Sequence, residues 1–231
     1  CFRSPELGLR HRREKLFFTG DCLRRAFRIG LPMGCERIIM CGAQIMSTVI
    51  VAPLGIYAIA ANAFAITAES LCYMPGYGIA DAATTLVGQS LGAKRHDLAR
   101  SFARITVVMG MAVMTVMGAI MYLAAPLMIG VMTPVPEVVS LGVSILRIEA
   151  FAEPMFAAAI VAYGVFIGAG DTLVPATMNF VSIWAVRLTL AALLAPSMGL
   201  HGVWIAMCIE LCFRGMIFLA RMKWGRWIKR L

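Results

Sequence analysis

The sequence predicts an all-α membrane protein built as a bundle of six transmembrane helices. Of its 231 residues, 61% are hydrophobic and only 14% are charged, and the mean hydropathy is +0.84. A water-soluble globule of this size needs more polar surface than this composition supplies. Stretches long enough to cross a hydrocarbon core about 30 Å thick recur along the chain. They predict spans at about residues 29–51, 57–84, 105–125, 138–167, 173–195 and 200–220.

Basic residues are concentrated in three segments. Eight of the 21 Lys and Arg residues lie in residues 1–28, four follow the second span and five lie in residues 221–231. With six spans, these segments share one side of the membrane, and the positive-inside rule predicts that both ends are cytoplasmic. We expect a basic linker over 1–28 and a basic tail over 221–231 that Trp224 and Trp227 anchor at the interface. The net charge of +9 therefore does not require a nucleic-acid partner.

The second span carries a glutamate, Glu69, in the middle of an apolar stretch. A charged side chain at bilayer depth costs roughly 2.5 to 3.5 kcal/mol on insertion scales, so Glu69 should face protein or a wet cavity. Asn62, Glu69, Tyr73 and Gly76 recur at helical spacing and share one face. Pro75 lacks a backbone donor and predicts a kink beside the carboxylate.

Proline and glycine predict where the later spans end. Pro126 begins a proline-rich loop after the third span, and residues 168–172, which read GAGDT, predict a tight turn after the fourth. Pro196 and Gly199 close the fifth span.

Apart from Asp81, close to the cytoplasmic end of the second span, nine charged side chains lie within the predicted spans: Arg37, Arg147, Arg187, Arg214, Glu36, Glu69, Glu149, Glu153 and Glu210. So many charges predict a polar interior rather than exposure to lipid. Glu210 and Arg214 are four residues apart and can pair. Glu149 and Glu153 share a face, where repulsion favours protonation of one. Pro154 follows directly and should break the backbone ladder of this helix.

Kinked helices beside buried carboxylates are typical of coupling-ion and proton sites in transporters. The candidates for cation or proton coupling are Glu36, Glu69, Glu149 and Glu153. The predicted cavity or structural polar groups are Asn62, Tyr73, Arg187, Glu210 and Arg214, and the predicted kinks are at Pro75 and Pro154. A structural interpretation stays open, because buried Glu and Arg pairs also hold helices together. No metal-ligand spacing occurs, and no cofactor is predicted other than Na⁺ or H⁺ as the coupling ion.

Four stretches carry a resemblance to a known family. They are IGLPMGCERIIM, the long stretch AIAANAFAITAESLCYMPGYGIADAATTLVGQSLGAKRHDLAR, YGVFIGAGDT, and WAVRLTL followed by GLHGVWIAMCIE. The chain resembles the second half of a MATE (multidrug and toxic compound extrusion) transporter, in the branch similar to DNA-damage-inducible protein F. The long stretch is the specific part of this resemblance, which covers nearly all of the chain from about Arg24 onwards.

The resemblance implies a two-lobe antiporter of six helices per lobe that exports drugs, in particular small organic cations, against sodium or protons. This chain would be the second lobe, lacking the N-terminal lobe, with residues 1–28 as the connector and the cell membrane as its location. The match supports Glu36 as a membrane-embedded acid. Where many relatives carry a proline after the arginine of the fifth span, this chain has Thr189, which predicts a straighter helix there.

The sequence therefore predicts a cation-coupled multidrug efflux antiporter. One alternative is a flippase for a lipid-linked substrate, although the nearly balanced buried Arg and Glu residues argue against the strongly cationic cavity expected there. Another is an intramembrane enzyme, against which the positions of the histidines argue: His11 and His96 lie outside the spans and His201 lies at the edge of the sixth. A third is that the chain alone is an inert fragment.

Overall fold

Long α-helices form nearly all of the structure, a computed structural model that describes residues 20–224 and residue 227. The predicted basic linker and tail fall largely outside these residues. In chain order the helices are α1 (Gly20–Val51), α2 (Ile56–Gly92), α3 (His96–Met132), α4 (Pro136–Glu149), α5 (Glu153–Gly168), α6 (Leu173–Val181), α7 (Leu188–Met198) and α8 (Leu200–Lys223).

The count of membrane-crossing helices agrees with the predicted class. By length and composition, five helices are able to cross a membrane, or six if the bent pair α4 and α5 forms one span. The all-α membrane fold is thus confirmed. The helices are longer than the predicted spans: α1 already begins at Gly20, and α2 and α3 both continue well past the apolar stretches that identified them. Hydropathy marks only the part of a helix that matches the hydrocarbon core, so these ends were missed.

Two apolar clusters form the core, one towards each end of the bundle. The first joins the early part of α2 and the end of α3 to α4 and the early part of α8. The second joins the late part of α2 and the start of α3 to α5, with Phe218 and Trp227. Glu153 and Arg214 lie in the stretches of α5 and α8 that separate the two clusters. The division leaves a polar layer in the middle of the bundle.

Small residues let α2 and α5 approach closely. A Cβ atom on Gly164 would lie 2.5 Å from the carbonyl oxygen of Ala80, and one on Gly168 would collide with the carbonyl oxygen of Thr84. The Thr84 hydroxyl donates to the carbonyl oxygen of Gly164 at 2.8 Å, which ties the two backbones together. Close backbone approach through small residues is the usual means of joining helices in lipid, where the hydrophobic effect does not drive their association.

Two of the prolines predicted to end spans lie inside helices. Pro126 falls within α3, which continues to Met132, and Pro196 falls within α7. The predicted ends were therefore wrong, since membrane helices tolerate proline when neighbouring groups satisfy the freed carbonyl. Gly199, with φ of 61°, does end α7. Pro75 likewise lies inside α2, which runs unbroken from Ile56 to Gly92.

The fourth and fifth spans are not single α-helices. The axes of α4 and α5 differ by 59° at a break over residues 150–152, and Pro154 occupies the first turn of α5. Between α6 and α7 the backbone forms a π-helical segment, Ser182–Arg187. This segment precedes residue 189, and the expectation that Thr189 straightens the span stays a prediction.

The basic ends of α3 and α8 meet at one end of the bundle. Arg100, Arg104 and Lys223 line one cavity there, and Arg221 pairs with Asp171 in the turn after α5. Trp224 is exposed, but Trp227 is buried against Phe166, their ring centroids 6.2 Å apart. The prediction that Trp227 is an interfacial anchor was therefore wrong: it packs into the protein core because the end of α8 leaves apolar space beside Phe166.

We expect Gly164→Ala to lower the free energy of unfolding of the full-length protein by about 1 to 3 kcal/mol, because its new methyl group forces α2 and α5 apart. Thermal unfolding in detergent measures the effect. Gly78→Ala in α2 is the matched control, since its Cβ would meet nothing within 4 Å. Equal unfolding temperatures for both variants would contradict the close packing of α2 on α5.

Candidate functional site

A cleft between α1 and the pair α2 and α5 contains the first predicted acid, Glu36. Its carboxylate accepts a hydrogen bond from the Tyr163 hydroxyl of α5 and another, 2.7 Å long, from the Asn179 side chain of α6. Three helices thus hold one half-buried carboxylate at the wall of a cavity of about 260 Å³. Two directed donors orient the carboxylate and stabilise its charged form.

The cleft offers both charge and aromatic surface to a ligand. Glu36 and Asp81 are its acids, and Arg37 and Arg214 are its cations. The rings of Tyr77, Phe156 and Tyr163 form much of the remaining wall. A few polar groups set among aromatic rings are typical of small-molecule sites. The cleft is therefore suited to a flat, charged organic ligand, for which the rings provide stacking surface.

A second group of charges lies deeper, in the polar layer of the bundle. Glu69 of α2, Glu149 at the end of α4 and Glu153 at the start of α5 are all buried, the last two only 1% exposed. No described residue donates a hydrogen bond to either oxygen of Glu149 or Glu153. Glu69 is within electrostatic range of both these acids. Three carboxylates in one dry layer are costly unless protons or cations neutralise them.

Two arginines supply positive charge to this layer. Arg187 and Arg214 both act electrostatically on Glu69, and Arg187 also acts on Glu149. The π-helical segment ends at Arg187 and directs its guanidinium to the sulfur of Met207 in α8. Local π-helical turns are frequent at functional sites because they change the direction of one side chain. Glu69 therefore has cationic partners from two other helices.

Glu210 and Arg214 form the ion pair that their spacing predicted. The Arg214 Nε atom lies 3.1 Å from Glu210 Oε1 in α8, and the Ser182 hydroxyl donates to the same oxygen at 2.6 Å. The guanidinium also lies over the ring of Phe156, 5.5 Å from its centroid. Arg214 faces the cleft on one side and the polar layer on the other, so it joins the two groups of charges.

The remaining predicted residues have mainly structural contacts. Asn62 accepts a 3.0 Å hydrogen bond from the indole of Trp204, which joins α2 to α8. Tyr73 packs edge to face against Phe156 with ring centroids 5.8 Å apart. Arg147 is exposed and lies over the ring of Tyr122. Within residues 20–224 and 227, no three His, Cys, Asp or Glu side chains are grouped to hold a metal ion.

Two features of the site were wrong or missing in the sequence interpretation. Glu149 and Glu153 do not share a face of one helix, because the break over residues 150–152 separates them. The donors to Glu36, Tyr163 and Asn179, were not identified. The signal available in the sequence was that each is a polar residue within a predicted apolar span. That both meet Glu36 depends on packing between helices far apart in sequence.

A membrane-embedded helical bundle with an acid-containing cleft and unpartnered buried carboxylates defines a transporter-like protein. The sequence profile of the MatE family matches residues 32–193. The chain belongs to this family.

Relatives and solved structures agree with this membership. The chain is 29% identical to the "probable multidrug resistance protein NorM" of Thermotoga maritima, over 90% of this chain and 45% of the relative. It is 28% identical to the "multidrug resistance protein MdtK" of Edwardsiella ictaluri, over 87% and 46%. The fold matches the MATE transporter VcmN of Vibrio cholerae in its bent form with a TM-score of 0.84 at 19% identity, over 91% of this chain and 48% of that one.

The chain thus spans about half the length of the relatives it matches. The proteins that it matches are named as multidrug resistance proteins and as a transporter.

We expect Glu210→Gln to lower the free energy of unfolding of the full-length protein by about 3 to 5 kcal/mol, because it leaves the buried Arg214 without its main partner. In the double variant with Arg214→Met, part of this loss should be recovered, since no unpaired charge remains. Unfolding in a denaturing detergent titration measures both. Additive effects of the two substitutions would contradict a coupled pair.

Proposed function

We propose that this chain is one lobe, the second, of a cation-coupled antiporter that exports small organic cations across the cytoplasmic membrane. The observation that carries the proposal is the cleft in which Glu36 faces an aromatic wall, with the buried carboxylates of Glu69, Glu149 and Glu153 behind it. The names of the relatives as multidrug resistance proteins support the efflux direction. The match to half of each relative supports the assignment as one lobe.

The charges of the cleft favour a cationic substrate. Arg214 is already paired with Glu210, whereas the donors to Glu36 among the described residues are neutral. The negative charge of Glu36, with that of Asp81 beside it, is therefore left for an external cation to neutralise. The rings of Tyr77 and Phe156 then contact the apolar part of the substrate. A lipid-linked polyanion would instead meet the repulsion of Glu36 and Asp81.

Coupling follows from competition for negative charge. A proton or sodium ion at the buried carboxylates neutralises negative charge there. It thereby weakens the attraction of these acids for Arg187 and Arg214. Arg214 lies in the cleft as well, so a change in the layer alters the field at the substrate site. The lobe then has two arrangements against its partner lobe, one favoured by the coupling ion and the other by the substrate. Exchange between these two arrangements gives alternating access.

The membrane orientation in this proposal follows from the positions of the basic residues. Because the basic ends of α3 and α8 meet at one end of the bundle, the positive-inside rule assigns that end to the cytoplasm. The ends of the chain would then both be cytoplasmic.

We expect Glu36→Gln and Glu69→Gln, each made singly in the full-length protein, to slow ethidium export by about 5- to 150-fold. This is the range typical of a lost coupling interaction. Everted vesicles with separately imposed proton and sodium gradients give the rate and identify the ion. Glu137→Gln is the control, because this acid is exposed in the first turn of α4. Export at the control rate by both variants, under either gradient, would refute coupling through these acids.

We expect Tyr163→Phe to lower the ethidium concentration for half-maximal export by about tenfold or more, because hydrogen bonds to charged groups contribute about 1.5 to 3 kcal/mol. With one donor fewer, the charged carboxylate of Glu36 is less stabilised and binds the cationic substrate more tightly. Initial export rates across a series of ethidium concentrations measure the shift. The exposed Tyr57→Phe should leave the curve in place, and a curve for Tyr163→Phe that coincides with it would contradict this role.

A further inference from the structure

A second cavity lies at the basic end of the bundle, away from the acid-containing cleft. It measures about 350 Å³, and we call it the basic cavity. Its lining residues are Arg100, Ala103, Arg104, Leu219, Met222, Lys223, Trp224 and Trp227. They come from the start of α3, the end of α8 and the residues that follow it. The basic cavity shares no lining residue with the cleft around Glu36.

The cations of the basic cavity lack partners in the described part of the chain. Arg100, Arg104 and Lys223 form no ion pair there, whereas the neighbouring Arg221 pairs with Asp171. No acid is among the residues that line the cavity. Arg100 and Arg104 lie four residues apart on one face of α3, a spacing at which like charges destabilise a helix. An anion in the cavity removes that repulsion.

The rest of the cavity is apolar and faces the membrane boundary. Leu219 and Met222 of α8 and Ala103 of α3 form its apolar wall. Trp224 is 73% exposed at its rim, and Trp227 fills the inner side with its indole turned to the Met222 carbonyl oxygen. Both α3 and α8 are membrane-crossing candidates, and their basic ends would then lie at headgroup depth. Three cations beside apolar surface and an exposed tryptophan suit an amphiphile better than a soluble anion.

We propose that the basic cavity binds the phosphate headgroup of an anionic phospholipid, with Arg100, Arg104 and Lys223 as the phosphate ligands. The acyl chains would follow the apolar surface between α3 and α8. Arginine suits this role because its planar fork binds phosphate oxygens in pairs. A bound lipid would join the start of α3 to the end of α8.

The test is the binding of phosphatidylglycerol to the full-length protein in neutral detergent, measured by native mass spectrometry. Each basic residue near an anionic surface contributes about fivefold in affinity, so Arg100→Gln with Arg104→Gln should weaken binding of the first lipid about 25-fold. Lys94→Gln with Arg95→Gln is the matched control. It removes the same charge from exposed residues of the adjacent turn that do not line the cavity. Arg100→Lys with Arg104→Lys should retain most of the binding.

Three outcomes would overturn the proposal. Equal weakening in the glutamine pair and its control would mean that general surface charge attracts the lipid. Equal binding of phosphatidylcholine, which is zwitterionic, would mean that the cavity does not select for the net negative charge of the lipid. Displacement of the lipid by inorganic phosphate as effectively as by short-chain phosphatidylglycerol would mean that the cavity takes a soluble anion. Thermal unfolding in lipid-free detergent at or above the temperature of the unchanged protein shows that each variant is folded, and the lysine pair keeps the comparison possible if the glutamine pair is not folded.

Discussion

The cost of placing charge in a medium without water determines how this bundle is built. Four glutamates and two arginines meet near its middle, where each would be unfavourable alone. Glu210, Arg214 and Ser182 satisfy one another in part, and Glu69, Glu149 and Glu210 are flanked along their helices by members of the first apolar cluster. Glu149 and Glu153 are left without hydrogen-bond donors among the described residues. A structural network would be more completely paired, and this incomplete pairing is the observation behind the proposed cation coupling.

Irregular backbone occurs where charge must be directed. The break between α4 and α5 separates Glu149 from Glu153 and points them from different helix ends into the same layer. The π-helical segment Ser182–Arg187 places Ser182 against Glu210 and Arg187 near Glu69. Each irregularity has one side in the protein interior, where Ala152 and Ser182 are buried, and one side outside it, where Phe151 and Trp184 are exposed. A regular helix through either position would bring fewer polar groups to the same point.

Much of the fold was predictable because lipid imposes a simple rule on sequence. The apolar stretches were sufficient to predict the membrane-crossing helices. The grouping of basic residues was sufficient to predict that the basic ends of α3 and α8 lie at the same end of the bundle. The Glu210 and Arg214 pair was predictable because both residues lie on one helix. The contacts of Glu36 with Tyr163 and Asn179 were not, since they join residues more than a hundred positions apart. The π-helical segment was also missed, because no proline or glycine marks it.

The helices around the cleft differ in how firmly they are held. α1 is mostly exposed and packs chiefly on α6 and α7, whereas α2 and α5 are joined through Gly164 and Thr84 with their backbones in contact. The cleft thus has one compliant wall and one stiff wall. Small tilts of α1 would change the width of the cleft without repacking the core, at the cost of the hydrogen bonds that Tyr163 and Asn179 donate to Glu36. Breadth of ligand size would then be a mechanical property of one helix.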